Sequence, residues 1–184
     1  IILISSEKIL KKQMKKLKFK KKIKLLNSNN FFEQKLDNKS INLINVNFDQ
    51  NKPFEKISSK SNKFIKDSFK VAFKILKTGK IKKFINGPIS KKNYLGKKYP
   101  GITEYISKKF STNKTCMLIY NKKLSVCPIT THLPIKLVTK KISKKIISQN
   151  VLLINNFYRQ NFGFEPKIAI LGLNPHCESI HKFN

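Results

Sequence analysis

Short apolar runs alternate along the chain with longer stretches whose apolar residues recur every three or four positions, the pattern of an α/β domain with a largely parallel sheet. The apolar runs predict strands at 1–4, 23–26, 41–46, 82–86, 115–120, 123–128 and 167–173. Between the first two, Ser6 to Lys18 carries Ile9, Leu10, Met14 and Leu17 at helical spacing behind a serine suited to capping. A longer helix is predicted from Ser59 to Lys80, with Phe64, Ile65, Phe69, Val71, Ala72, Phe73, Ile75 and Leu76 as a broad apolar stripe and Gly79 ending it. A third runs from Ser143 to Asn161 and closes at Gly163 before Pro166. The Asn-, Ser- and Lys-rich segments 27–40 and 47–60 read as loops.

Composition adjusts this picture without overturning it. With 184 residues and 40% hydrophobic content the chain reads as one α/β domain or a large piece of one, spanning 1–184 with no internal boundary assigned. It does not begin with Met and stops just after a conspicuous motif, so both edges read as cut. No apolar run reaches the roughly 18 residues of a membrane span, and no membrane partner is expected.

Forty Lys and Arg against nine Asp and Glu give a formal charge of +31, which raises a nucleic-acid-binding protein as the rival reading. All of these bases except Arg159 are lysines, and they accompany an excess of Asn, Ile and Phe. A nucleic-acid surface mixes in Arg, whose planar fork reads phosphate and guanine bidentately. Compositional bias therefore explains the charge better, and no specific nucleic-acid partner is expected. Cys116, Cys127 and Cys177 show no C-x-x-C spacing and form an odd set, so the simplest compartment is a reducing cytoplasm. Cys116 and Cys127 lie in apolar runs and read as small buried hydrophobes without chemistry.

The three histidines say more than the forty bases. His132 follows a predicted strand in Thr130-Thr131-His132-Leu133-Pro134, and His176 follows another in Gly172-Leu173-Asn174-Pro175-His176. Carboxyl ends of strands are where open α/β sheets gather ligands, and imidazoles converging there suit a divalent transition metal. The turn Asn86-Gly87-Pro88-Ile89-Ser90-Lys91 also follows a predicted strand. There Gly87 would permit close backbone approach, Pro88 would fix the turn and Lys91 would offer an ammonium to an anion. The plain alternative is a strand-to-helix turn with a solvated lysine.

Together with Gly101-Ile102-Thr103-Glu104, these motifs occur in the order and approximate spacing of the 4-hydroxythreonine-4-phosphate dehydrogenases, which the chain resembles from its first strand to its last residue. The resemblance implies a three-layer α/β/α fold, like that of isocitrate and isopropylmalate dehydrogenases but incomplete, and a homodimer with its active site at the interface. It matches His132 and His176 to two of three histidines that bind a divalent metal (Zn, Mg, Co or Mn), and Thr103 to a substrate-contacting threonine. Ile102 stands where the family has a histidine. The third metal histidine, the Lys, Asn and Arg that grip substrate, and the Gly-rich opening turn have no counterpart in the chain. The implied chemistry is NAD- or NADP-dependent oxidation and decarboxylation of 4-phosphooxy-L-threonine in vitamin B6 biosynthesis, or of a related phosphorylated hydroxy acid. No Gly-x-Gly-x-x-Gly is present to bind the dinucleotide in the Rossmann manner, and the cofactor-binding residues stay unassigned.

Overall fold

The computed structural model describes residues 1–112 and 114–173. The chain divides into two compact units, Ile1–Tyr105 and Ile106–Asn184.

The first unit is built on a parallel three-stranded sheet in the order β1-β3-β2, formed by β1 (Ile2–Ser5), β2 (Lys22–Leu26) and β3 (Ser40–Asn45). In register, Leu3 and Leu25 both oppose Leu43, and Ile4 and Leu26 both oppose Ile44. Helix α1 (Glu7–Lys16) carries the chain from β1 past the centre position to β2, as a parallel pair requires. Its start follows from Ser6, buried and extended, whose Oγ accepts from the Ile9 N–H at 3.5 Å.

Ile44 is 1% exposed and packs with Leu26, Phe31 and Ile75, the last from helix α2 (Asn62–Lys77). Leu43, 0% exposed, projects to the opposite face because side chains alternate along a strand. Both faces of β3 are therefore covered, the condition that makes a parallel sheet stable. Asn42, also buried on β3, survives there because its Nδ2 donates to the Asp37 carbonyl at 2.7 Å.

The first three predicted strands and all three predicted helices form within a few residues of expectation. Helix α2 begins at Asn62 instead of Ser59, because one 3-10 turn, Ser59–Ser61, precedes it. Helix α5 (Lys144–Phe162) starts behind Ser143, whose Oγ accepts from the Ile146 N–H at 3.3 Å, and ends at Gly163 with φ 76°. That left-handed residue closes the last turn at no steric cost only as glycine.

Four predicted strands do not form among the described residues. Neither segment 82–86 nor segment 167–173 has a ladder partner among the described residues. In 115–120 and 123–128 only Ile119 and Val126 pair, antiparallel. An apolar run becomes a strand only where a neighbouring backbone takes its N–H and C=O groups, and periodicity does not reveal that neighbour. Two short helices were not foreseen, α3 (Ile102–Lys109) and α4 (Ile135–Lys141), because each has fewer apolar positions than a periodic stripe needs.

Candidate functional site

The motif residues fall into separate neighbourhoods, and the most developed lies in the first unit. After Pro88, Ser90 caps a single π turn, Lys91–Leu95, its Oγ accepting from the Asn93 N–H at 3.3 Å. Leu95 is buried beneath that turn, which leaves Lys91 exposed on its outer side. Further along, Gly101 is buried and its carbonyl accepts from the Tyr105 N–H at 3.2 Å, setting the start of α3. Ile102 and Thr103 thus occupy the first turn of a helix, half-buried, where unpaired backbone N–H groups favour a negatively charged ligand.

A pair of tyrosines joins these two motifs. Tyr94, on the π turn, and Tyr105, on α3, meet hydroxyl to hydroxyl at 3.0 Å. Phe69 of α2 stacks on Tyr94 at 6.0 Å between centroids and meets Tyr105 edge-on at 5.2 Å. Burial, followed by the Tyr105 hydrogen bond, pushes the Tyr94 phenol well above its ordinary value. On the other side, Asn62 at the head of α2 donates from Nδ2 to the Asn93 carbonyl at 2.7 Å, while its buried Oδ1 has no hydrogen-bond partner among the described residues. Asn62, Ser90, Asn93 and Tyr94 line a groove of about 740 Å³ together with Phe48 and Gln13. Lys91, Ile102 and Thr103 do not line it. Sequence reasoning missed Asn62, Asn93 and Tyr94, for which the one available signal was the Ser90-x-x-Asn93 capping pattern. Gly87 is exposed and a Cβ there would meet nothing within 4 Å, so nothing within the chain requires the close approach expected of it.

At the carboxyl ends of β1 and β3 a further polar knot forms. Asn45 Oδ1 accepts from the Glu7 N–H at 2.8 Å, and Ser6 Oγ donates to the Phe48 carbonyl at 2.7 Å. Lys8 pairs with Asp49, and that hydrogen bond holds the Asp49 carboxyl below its usual value.

His132 belongs to the second unit, exposed, with φ 56°. A non-glycine residue in this left-handed region is uncommon, though histidine visits it more readily than most, and such strain collects at functional turns. His176 lies outside the described residues. Among the described residues no three His, Cys, Asp or Glu side chains cluster as a metal would need. The donor set shown is one imidazole, so a metal at His132 depends on ligands beyond those described.

Residues 1–181 match the family model described as pyridoxal phosphate biosynthetic protein PdxA. The chain belongs to this family. Among curated PdxA-type relatives, the 4-hydroxythreonine-4-phosphate dehydrogenase of Sulfurihydrogenibium sp. is 44% identical over 93 residues, 49% of this chain and 29% of that protein. The enzyme of the same name from Aquifex aeolicus is 39% identical over 101 residues, 54% of this chain and 32% of that protein. The crystal structure of 4-hydroxythreonine-4-phosphate dehydrogenase from Klebsiella pneumoniae superposes with a TM-score of 0.77 at 20% identity, over 96% of this chain and 55% of that one. A putative 4-hydroxythreonine-4-phosphate dehydrogenase from Salmonella typhimurium gives 0.78 at 21% identity, over 100% and 57%. The chain therefore spans about half the length of these solved relatives, and its fold is the α/β dehydrogenase-like fold they share, incomplete.

Proposed function

We propose that this chain forms part of an oxidoreductase that uses NAD or NADP and a divalent metal to oxidise the alcohol of 4-phosphooxy-L-threonine. Decarboxylation of the resulting β-keto acid gives 3-amino-2-oxopropyl phosphate, on the route to pyridoxal 5′-phosphate. The observation that carries this reading is the extent of the PdxA match, which takes in residues 86–91, 101–104, 130–134 and 172–176, every motif with chemistry to offer.

In this reading Lys91, exposed beside the Pro88 turn, neutralises the substrate phosphate, and the Thr103 hydroxyl on the first turn of α3 hydrogen-bonds the substrate's polar end. The Tyr94–Tyr105 bond ties the turn that carries Lys91 to the helix that carries Thr103. His132 and His176 are the residues that would hold the metal, which supplies Lewis acidity to the alcohol oxygen when bound. Neutral imidazole ligands leave most of the metal's charge available for that purpose. The homodimer with its site at the interface and a cytoplasmic location belong to the same reading.

Ile102 favours a second reading, a dehydrogenase of another phosphorylated hydroxy acid. Isoleucine cannot donate or accept where the resembled family has a histidine, so a substrate hydroxyl or amine facing it would go unpaired.

Two measurements test these readings. With the full-length protein that contains this chain, nicotinamide reduction on adding 4-phosphooxy-L-threonine, metal and NAD or NADP is expected, while the chain by itself, lacking the third metal ligand, is expected to be inactive; reduction only with other phosphorylated hydroxy acids would select the second reading, and Ile102→His should then shift preference back. Cobalt titration followed by its visible absorption bands should show a site lost in both His132→Ala and His176→Ala. Unchanged bands in both variants would sink the metal assignment whatever the activity.

A further inference from the structure

The second unit contains a pair of thiols that the proposed dehydrogenase chemistry does not use. Ile119 and Val126 exchange both backbone hydrogen bonds, at 2.8 and 3.0 Å, and so close a hairpin whose arms carry Cys116 and Cys127. The register this pair sets puts Leu118 opposite Cys127 and Cys116 two residues further on the same face, which makes the cysteines diagonal neighbours. Both are free thiols. Both are half-exposed, which corrects the expectation of two inert buried hydrophobes. No third His, Cys, Asp or Glu joins them among the described residues, which distinguishes the pair from a soft-metal site.

We propose that Cys116 and Cys127 form a reversible redox pair, oxidised to an intrachain disulfide by a peroxide. In the first step a thiolate attacks the peroxide; its S–O bond forms as the O–O bond breaks, and water leaves after protonation. In the second, the other thiol attacks the sulfenic sulfur, forming S–S as S–O breaks and releasing a second water. Two thiols lose two electrons, and one hydrogen peroxide is reduced to two waters.

The second step is favoured by geometry. The resolving thiol lies on the same face of the hairpin, and one ladder pair, Ile119–Val126, joins the arms among the described residues, so the arms can adjust to the geometry an S–S bond needs. Cys127 is the better attacking group. Burial raises both thiols, and the neighbouring Cys116 side chain opposes that rise at Cys127. Oxidation therefore accelerates as pH rises, because the thiolate is the nucleophile. Pro128 and the Thr130–Pro134 turn follow Cys127 directly, so the disulfide would anchor the arm that leads into His132.

The test is peptide mapping of the full chain, wild type, before and after hydrogen peroxide. Trypsin cuts between the two cysteines at Lys122 and Lys123, releasing peptides 115–122 and 124–136, while Cys177 travels on its own peptide. The expected result is a linked pair of the first two peptides, loss of both thiols from iodoacetamide labelling, and full return with dithiothreitol. In Cys116→Ser, dimedone should capture a sulfenic acid on Cys127. Links through Cys177, links between two chains, or both thiols still alkylated after peroxide would overturn the proposal.

Discussion

Ile1–Tyr105 and the described part of Ile106–Asn184 contain similar kinds of sequence, yet they bury it differently. In the first unit β3 is covered on both faces, and every buried hydrophobic residue among those described except Ile154 lies there. In the second, helix α5 is capped at both ends and periodic throughout, but Leu152 is 62% exposed and Phe157 41%. What organises that unit is a half-exposed aromatic group: Tyr120 stacks on Phe162 at 5.3 Å, Phe164 meets Tyr158 at 5.5 Å, and Tyr158 donates to Ser125 at 2.9 Å. Caps and periodicity suffice to make a helix. A core also needs a facing layer, and most of the free energy of burial comes from that layer.

Truncations in the two units should expose this difference most clearly. Ile44→Ala removes a side chain 1% exposed at the centre of a covered sheet and should cost about 4 kcal/mol, whereas Ile154→Ala, at 8% exposure in a thin unit, should cost about 2. Urea unfolding with hydrogen exchange read separately for the two units is the measurement. Equal losses would mean that the second unit has a core as tight as the first.

The caps offer a smaller version of the same contrast. Ser6 accepts from the Ile9 N–H and also donates to the Phe48 carbonyl, with its side chain buried, so Ser6→Ala should lose about 2 kcal/mol. Among the described residues the Ser143 hydroxyl makes only the capping bond, in solvent, and Ser143→Ala should lose about half as much. Thermal melts of the two variants would show whether burial or capping dominates.

These contrasts also explain what was legible in the sequence. Ser6, Ser143 and Gly163 act through neighbours three or four residues away, so the helices they delimit can be read locally. Strands β1, β2 and β3 were legible because their apolar runs coincide with real ladders. Segments 82–86 and 167–173 have the same look but no partner among the described residues, and pairing is a property of other parts of the chain. The candidate site divides in the same way. Lys91 and Thr103 stand out as motif members, but Tyr94 and Tyr105, which join them, are eleven residues apart and meet only through the packing of α2 against both.

Removing that join gives the third test. Tyr94→Phe keeps the ring on Phe69 and deletes the hydroxyl contact, at a cost of about 1 kcal/mol. Its pH dependence carries a sign. The folded-state value of Tyr94 is raised, so the fold favours the protonated phenol; the stabilisation is complete below the unfolded value of about 10 and disappears as pH rises through the folded value. Wild type should therefore lose its advantage over Tyr94→Phe only above that pH. A constant gap between the two at all pH values would show that the fold does not raise the Tyr94 phenol.

The smallest expected effect is at His132, where the sparser unit holds a left-handed residue. At φ 56° a β-carbon costs about 1 kcal/mol relative to glycine, so His132→Gly should be more stable than His132→Ala by about that amount, while both lose the imidazole. Cobalt absorption should be abolished equally in the two variants, which separates the chemistry of the side chain from the strain of its backbone. If His132→Gly is no more stable than His132→Ala, the turn is relaxed and its geometry says nothing about function. If the gain appears, the second unit sustains a strained turn despite having little core to support it, which is the expected condition of a residue retained for what its imidazole binds.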